Sequence, residues 1–388
     1  MNNVVMKFGG SSVASAEKIR NVAKILVKKK NDLKNVVCVV SAMGDTTDEL
    51  IEKAKTISDN PSKRELDIIL STGELISSSL LAMAIQELGE KAIALTGDQA
   101  GFKTYGKHGF SKILDIDTSL IREKLKHGYI VIVAGFQGRN ESNDITTLGR
   151  GGSDTSAVAL AAKLSCDVEI YTDVEGIYSV DPRFYKDAKK LSHISYEETM
   201  EMAHLGAKVI DPRSVELAQK YNVKMYIALN TANVLGTVID KEGDTVEQNI
   251  IRSVSAVDGI LLVTKKLVNQ TISDLFSELA NEDINIDVIN ETLIEGEKYV
   301  SFTSLVEEKN KIEGISDDFE FIENVSKVSL IGNAMRNETG VAARIFNVLN
   351  ANNIKFYQVS TSEISVSIIV DTQYKNKVME LFIREFNL

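Results

Sequence analysis

From residue 1 to about 230, short runs rich in valine and isoleucine alternate with stretches whose apolar residues recur at helical spacing. "NVVMKF" leads into an amphipathic segment from about Ala14 to Lys30. "VVCVVSAM" leads into helical sequence near 45 to 57 and again near 63 to 88. "KAIALTG", "YIVIVAGF" and "VEIYTDV" follow, separated by helical stretches near 118 to 127 and 153 to 164. Unbroken Val/Ile runs between helices predict an α/β domain with a mostly parallel sheet covered on both faces.

The pattern changes after "GTVID". Residues 250 to 388 read as strand, helix, strand, strand, helix, and then partly repeat. "VDGILLVTK", a helix near 271 to 281 and "INIDVIN" resemble "VSKVSLIG", a helix near 339 to 350 and "IKFYQVSTS", about 70 residues on. That is the pattern of two small βαββαβ units. The expected division is a domain over 1–235, then units over 250–322 and 323–388 that can interdigitate.

Length and charge narrow the function. A chain of 388 residues is too long for one ordinary core, and 44% hydrophobic with 26% charged residues is a soluble profile. No apolar run is expected to reach the length needed to span a bilayer, and no basic, then apolar leader opens the chain, so a cytoplasmic protein without a membrane partner is expected. A net charge of -11 argues against a nucleic-acid partner but not against a nucleotide, which a few lysines and backbone amides can hold. Cys38 and Cys166 sit in apolar surroundings and read as buried small residues. His108, His127, His193 and His204 lack metal-ligand spacing, and no side-chain metal site is expected.

The candidate chemistry lies where strands end. "MKFGGSSV" puts Lys7 near the end of the first strand and Gly9, Gly10 and Ser11 just after it. In an open parallel sheet that edge is where ligands bind; glycines admit an anion to backbone N–H groups, and lysine adds charge. The bland alternative is a turn with a snorkelling lysine. "GRGGSDTS" precedes the strong helix former "AVALAAKL", so small residues lead to a helix N-terminus. Ser153 or Asp154 could be only an N-cap there, but that leaves "GRGG" unexplained. "YTDVEGIYSVDPR" offers Thr172, Asp173, Tyr178, Asp181 and Arg183 in one loop, which alone is an ordinary polar loop. "GFKTYGKH" nearly matches a P-loop, but His108 stands where the magnesium-binding hydroxyl belongs and no helix clearly follows.

Together, "KFGGSSV", "VVSAMGDTTDEL", "STGE", "LTGDQAG", "FQGRN", "GRGGSDTSA", "TDVEGIYSVDPR" and "GAKVIDPRS" resemble, in family order, the aspartate kinases of the amino-acid kinase superfamily. The tail, with "VSTSEISVSIIV", resembles a pair of ACT domains. The resemblance implies a three-layer sandwich with a sheet of about eight strands, followed by regulatory ACT units. It implies transfer of the γ-phosphoryl group of ATP to the β-carboxylate of L-aspartate, the first step of lysine, threonine and methionine biosynthesis. It also implies Lys7 and the Gly9–Gly10 amides at the transferring phosphoryl group, with Asp154 orienting the cationic groups. Aspartate is expected at Ser41, Thr47, Glu74, Arg150 and Ser153. ATP is expected at Gly9, Gly10, Ser11, Thr172, Asp173, Tyr178, Asp181, Arg183 and Lys208, with Mg²⁺ held mainly by phosphates and water. The nearest alternatives are a kinase for another acidic amino acid, such as glutamate, and a non-catalytic amino-acid sensor.

Some positions depart from the family pattern. Asp211 stands where a histidine is usual, and "ALNTAN" (228 to 233) replaces a stretch that usually carries an arginine and serines. Gln270 replaces the glycine that normally opens the first ACT helix, whereas Gly340 is kept in the second, after Thr339 in place of a common proline. A lysine or threonine effector is therefore expected chiefly around the second unit, at Asn333, Met335, Gly340 and Val341, with Asp287 from the first. The ACT units are also expected to pair into a homodimer or larger assembly.

Overall fold

The computed structural model describes residues 3–33, 35–207, 210–230, 236–243, 250–336 and 339–388. The chain forms two compact units. The first comprises Met1–Tyr178, Lys190–Ala203 and Lys208–Val246; the second comprises Ser179–Lys189, His204–Ala207 and Glu247–Leu388.

The first unit begins with β1 (Asn3–Phe8), α1 (Ala16–Leu33), β2 (Asn35–Val40), α2 (Thr46–Lys55), α3 (Lys63–Glu87) and β3 (Ala92–Leu95). It continues with β4 (Phe102–Tyr105), β5 (Lys112–Ile116), α4 (Ser119–Lys126), β6 (Ile130–Ala134), β7 (Gln137–Arg139), β8 (Ile145–Thr147) and α5 (Gly152–Leu164). Then come β9 (Val168–Thr172), β10 (His193–Ser195), α6 (Tyr196–His204), α7 (Pro212–Tyr221), β11 (Met225–Leu229) and β12 (Thr237–Asp240). Eight strands make one sheet in the order β10-β12-β11-β9-β1-β2-β6-β3. Its pairs are parallel except β11 with β12. The Val/Ile runs of β1, β2 and β6 are buried almost throughout, as strands covered on both faces must be. β1 lies centrally, with β2 on one side and β9 on the other, so the chain leaves its carboxyl end at a switch in strand order. A smaller sheet, β5-β4-β7-β8, is inserted between β3 and α5.

Helix α3 runs for 25 residues. It is long and apolar enough to cross a membrane by length and composition, contrary to the expectation that no run is, but half of that stretch is buried inside the protein. Its Leu81, Ala82 and Ile85 join the core of β1, β2 and β6, which is the use a long core helix makes of such a sequence.

The second unit contains β13 (Ser253–Lys266), α8 (Ile272–Asn281), β14 (Asp287–Ile294), β15 (Glu297–Leu305), α9 (Lys309–Ile315) and β16 (Phe319–Ile331). It ends with α10 (Val341–Ala351), β17 (Gln358–Thr361), β18 (Ser365–Asp371) and α11 (Lys375–Phe386). Its six strands form one sheet, β14-β15-β13-β16-β18-β17. The long strands β13 and β16 each serve two halves. Ser253–Val257 pairs with the end of β16, while Ile260–Lys265 pairs with its beginning, across a register shift beside Gly259. The expected boundary between 322 and 323 therefore falls inside a continuous strand. The second half takes a strand from the start of the tail, so the two βαββαβ patterns interlock.

The expected first boundary at 235 is also too simple. Val180, Phe184, Tyr185 and Ala188 pack on the apolar core under α10 and α11, and Val254 N–H donates to Ser179 O. Burial of those apolar side chains assigns the segment to the second unit.

Candidate active site

At the carboxyl edge of the large sheet, within the first unit, lies a cavity of about 320 Å³. Lys7, Gly10, Ser41, Thr47, Glu74, Arg150, Ser153 and Asp154 all line it, so residues spread over almost 150 positions meet in one place. Ala42, Gly44, Phe136, Gly149, Gly151 and Gly152 complete the wall.

Parallel strands bring these groups together by ending on the same side. Lys7 is buried near the end of β1, and its Nζ lies 2.6 Å from Asp154 Oδ1, in the first turn of α5. A buried lysine needs a counter-charge, and Asp154 supplies it while holding the ammonium at the cavity wall. The loop after β2 supplies Ser41 and Ala42, with Ser41 O accepting from Ser77 Oγ at 2.7 Å. α3 runs close to that loop because Gly73 has no side chain: a Cβ there would stand 2.8 Å from the Ala42 Cβ.

That approach fixes Glu74, which is 4% exposed. Its Oε1 accepts from Ala42 N–H at 3.1 Å, while the buried Oε2 has no partner. Burial pushes the carboxyl up to about 7, against the pull of the Ala42 amide. An acceptor left open inside a cavity is suited to a donor that arrives with a ligand. Arg150, exposed on the loop before α5, has no acidic partner among the described residues. The cavity therefore presents one ion pair, one incompletely paired carboxylate and one open guanidinium.

The glycine loop is held from behind. Gly151 is left-handed at φ 71°, and a Cβ on it would lie 2.3 Å from the Asp211 carboxyl carbon, so Asp211 fills the space beside the loop. Asp211 Oδ2 also accepts from Thr155 Oγ1 at 3.4 Å, and burial and Asp154 raise its carboxyl above the usual range. Arg213 donates to Leu148 O at 2.8 Å and Ser111 O at 2.9 Å.

Some expected residues have other duties. Gly9 N–H, expected at a phosphate, donates instead to Tyr171 O and extends the β1–β9 ladder. Ser11 is exposed, and its carbonyl accepts from Lys18 Nζ at 2.9 Å. Thr172 Oγ1 donates to Asp173, and Tyr178 Oη to Glu175. Asp181 and Arg183 belong to the second unit, where Arg183 forks onto the Asp181 carboxylate. Lys208 and positions 231–233 lie outside the described residues. Asn230 donates from its amide to Ser12 Oγ at 2.8 Å and through its backbone to Thr172 O.

Phe136, like Ala42 and Gly44, is a wall residue that sequence reasoning missed. It follows β6 in the left-handed region at φ 70°, rare for a bulky side chain. Its N–H donates to Ser156 Oγ, and its carbonyl accepts from Leu148 N–H. Only its place after a buried strand, inside "AGFQG", could have marked it.

Comparison with known proteins gives a consistent answer. The amino acid kinase family model matches residues 2–229, and an ACT domain model matches 328–386. The chain is similar to aspartokinase 2 of Bacillus subtilis, 46% identical with 100% of this chain and 98% of the relative covered. It is also similar to the aspartokinase of Corynebacterium glutamicum, 42% identical over 95% and 92% of the two chains. Among solved structures, E. coli aspartokinase III in complex with lysine and aspartate (T-state) matches at TM-score 0.78 and 25% identity, covering 100% of both chains. The aspartate kinase of Synechocystis matches at TM-score 0.57 and 32% identity, covering 100% of this chain and 69% of that one.

Proposed function

The chain belongs to the aspartokinases of the amino acid kinase family, and we propose that the cavity at the end of β1 is where its aspartate is phosphorylated. The activity is ATP-dependent transfer of the γ-phosphoryl group to the β-carboxylate of L-aspartate, giving 4-phospho-L-aspartate. This is the opening step of lysine, threonine and methionine biosynthesis. The observation that carries the site is Glu74 Oε2, buried without a partner in the cavity that also holds Arg150 and the Lys7–Asp154 pair. An amino acid with a second carboxylate matches that set of charges.

In this reading Glu74 takes the α-ammonium and Arg150 a carboxylate, with Ser41, Thr47 and Ser153 as hydrogen-bond partners. The attacking β-carboxylate is already ionised at neutral pH, so no general base is required. The work is alignment and charge stabilisation. Lys7, held by Asp154, faces the phosphoryl group; Gly10 gives its oxygens close access to the backbone. Thr172, Asp173, Tyr178 and Lys208 are assigned to the nucleotide, together with Ser11. No group of three or more His, Cys, Asp or Glu side chains among the described residues could hold a metal ion. Mg²⁺ is assigned to the nucleotide's phosphates and water, where it would screen charge.

The second unit is read as the regulatory half. Lysine is the assigned effector, and E. coli aspartokinase III, which resembles this chain, was solved with lysine and aspartate. Support for a pocket around the second ACT half comes from Gly340, left-handed at the start of α10 with open space where a Cβ would be. Asn333 and Met335 precede it, Val341 follows, and Asp287 is paired with Lys327. A homodimer is proposed through the tail, whose edge strand β14 exposes Ile289, Leu293 and Ile294. The cytoplasm is the assigned compartment.

Incubation with ATP, aspartate and hydroxylamine tests the activity: aspartyl hydroxamate should form. Hydroxamate from glutamate alone would reassign the substrate. No hydroxamate from either would leave a sensor.

A further inference from the structure

The near-P-loop "GFKTYGKH" has a different use. Phe102–Tyr105 is strand β4, and the chain then turns through Gly106 and Gly109, both left-handed. The turn presents His108 and the Gly109 amide to Asp67 of α3. Asp67 is 1% exposed, and it lies seven residues before Glu74, on the same face of the helix. Its Oδ2 accepts from His108 Nδ1 at 2.9 Å and from Gly109 N–H at 3.0 Å. Its Oδ1 accepts from Gly109 N–H at 3.1 Å and from Thr147 Oγ1 at 2.5 Å. Ser71, between Asp67 and Glu74, accepts through its carbonyl from Gln137 Nε2 at 2.9 Å.

Every one of these partners belongs to the small inserted sheet or its turns. Thr147 ends β8, only three residues before Arg150. One helix thus carries Glu74 and grips, through Asp67, the strand that leads to Arg150. The grip is charge-assisted and buried, which makes it stiff. Arg150 is exposed and without an acidic partner among the described residues, so the segment behind it sets where its guanidinium stands.

We propose that Asp67 is a positioning residue that sets the distance between Arg150 and Glu74, and so the fit to the two ends of the amino-acid substrate. The inference rests on the reading that Arg150 and Glu74 bind aspartate. Misplacement of a binding group by about 1 Å can cost 10²-fold, so a partial loosening should be visible in kinetics.

The test measures kcat and both KM values on the full chain, for variants shown folded by circular dichroism. Asp67→Asn keeps the shape but removes one acceptor. It should raise KM for aspartate about 10-fold, with kcat and KM for ATP within about 2-fold. Thr147→Val and His108→Gln should move the same constant by about 3-fold each, and they carry the test should Asp67→Asn not fold. In an Arg150→Ala background, Asp67→Asn should add nothing to KM for aspartate, because it acts through the missing arginine. Full additivity in that background would overturn the proposal, as would a lowered Tm with unchanged KM. If Arg150→Ala alone leaves KM for aspartate unchanged, the reading of the site falls and the proposal with it. An effect of Arg150→Ala without one of Asp67→Asn or the two smaller variants would sink only the positioning role.

Discussion

Helices α5 and α8 begin in opposite ways. α8 opens at Thr271, whose Oγ1 accepts from Asp274 N–H at 3.1 Å while Asp274 Oδ2 accepts from Thr271 N–H at 3.0 Å. That reciprocal box satisfies the helix end from within. α5 opens at Gly151 in the left-handed region with no side-chain cap, and its first-turn acid, Asp154, turns to Lys7 instead. One end is finished by its own residues; the other stands beside a cavity with its nearest charges committed to that cavity. α10, which opens at Gly340 without a side-chain cap, resembles α5 in this respect. The start of a helix thus separates an end built for stability from ends left accessible to an anion.

The largest expected effect lies at α5. Lys7→Met should lower kcat by about 10²- to 10³-fold, roughly 3 to 4 kcal/mol of transition-state stabilisation. It also strands Asp154 in a largely buried site, so a stability loss of about 3 kcal/mol should accompany it. Lys7→Met with Asp154→Asn should recover stability but not kcat. Near-normal turnover in the single variant would remove Lys7 from the chemistry.

The next effect is set by pH. Glu74, pushed up to about 7 by burial, is partly protonated in the free enzyme at neutral pH. A neutral carboxyl cannot pair with an ammonium. KM for aspartate should therefore fall as pH rises toward 7 and level off above it, changing about tenfold per unit on the acid side. Glu74→Gln should raise KM and flatten that slope. A slope unchanged in Glu74→Gln would assign the titration to another group.

How far was this visible in the sequence? The large sheet and its helices were, because continuous Val/Ile runs fit only strands covered on both faces. Part of the cavity was too: strand ends and the small residues before a helix marked Lys7, Gly10 and the loop before α5, whereas Ser41, Thr47 and Glu74 were reached only through the family resemblance. Facts created by packing were hidden. That β13 and β16 are shared by both tail halves depends on which strand pairs with which, and apolar runs do not encode that. Gly9 looked like a phosphate ligand, but its amide was needed by Tyr171. The left-handed Phe136 is sustained by Ser156 and Leu148, which are distant in sequence. Gln270 drew attention as a lost glycine, yet the T-x-x-D spacing one residue later already held the capping box.

The contrast between α8 and α10 predicts a regulatory asymmetry. Lysine should bind the wild type by calorimetry and change aspartate affinity 5- to 150-fold, a coupling of about 1 to 3 kcal/mol. Gly340→Val should weaken lysine binding, since valine is strained at φ 91° and narrows the approach to α10. Gln270→Gly should leave it unchanged. Loss of binding in Gln270→Gly but not in Gly340→Val would reverse the assignment. No heat with lysine or threonine at millimolar concentration would make the tail a pairing module only.

The smallest effect isolates the closed end. Thr271→Ala removes the acceptor for Asp274 N–H and leaves the Asp274 carboxylate only the Thr271 backbone N–H. Caps of this kind contribute about 1 kcal/mol, so the second unit should lose roughly that much stability. Neither KM for aspartate nor the lysine heat should move, because α8 satisfies its own end and is assigned no ligand. Urea unfolding followed by circular dichroism reads the first quantity, and the calorimeter reads the second. A variant that kept its stability but lost lysine binding would show that Thr271 faces a ligand, and the distinction between the two kinds of helix start would fail at this site.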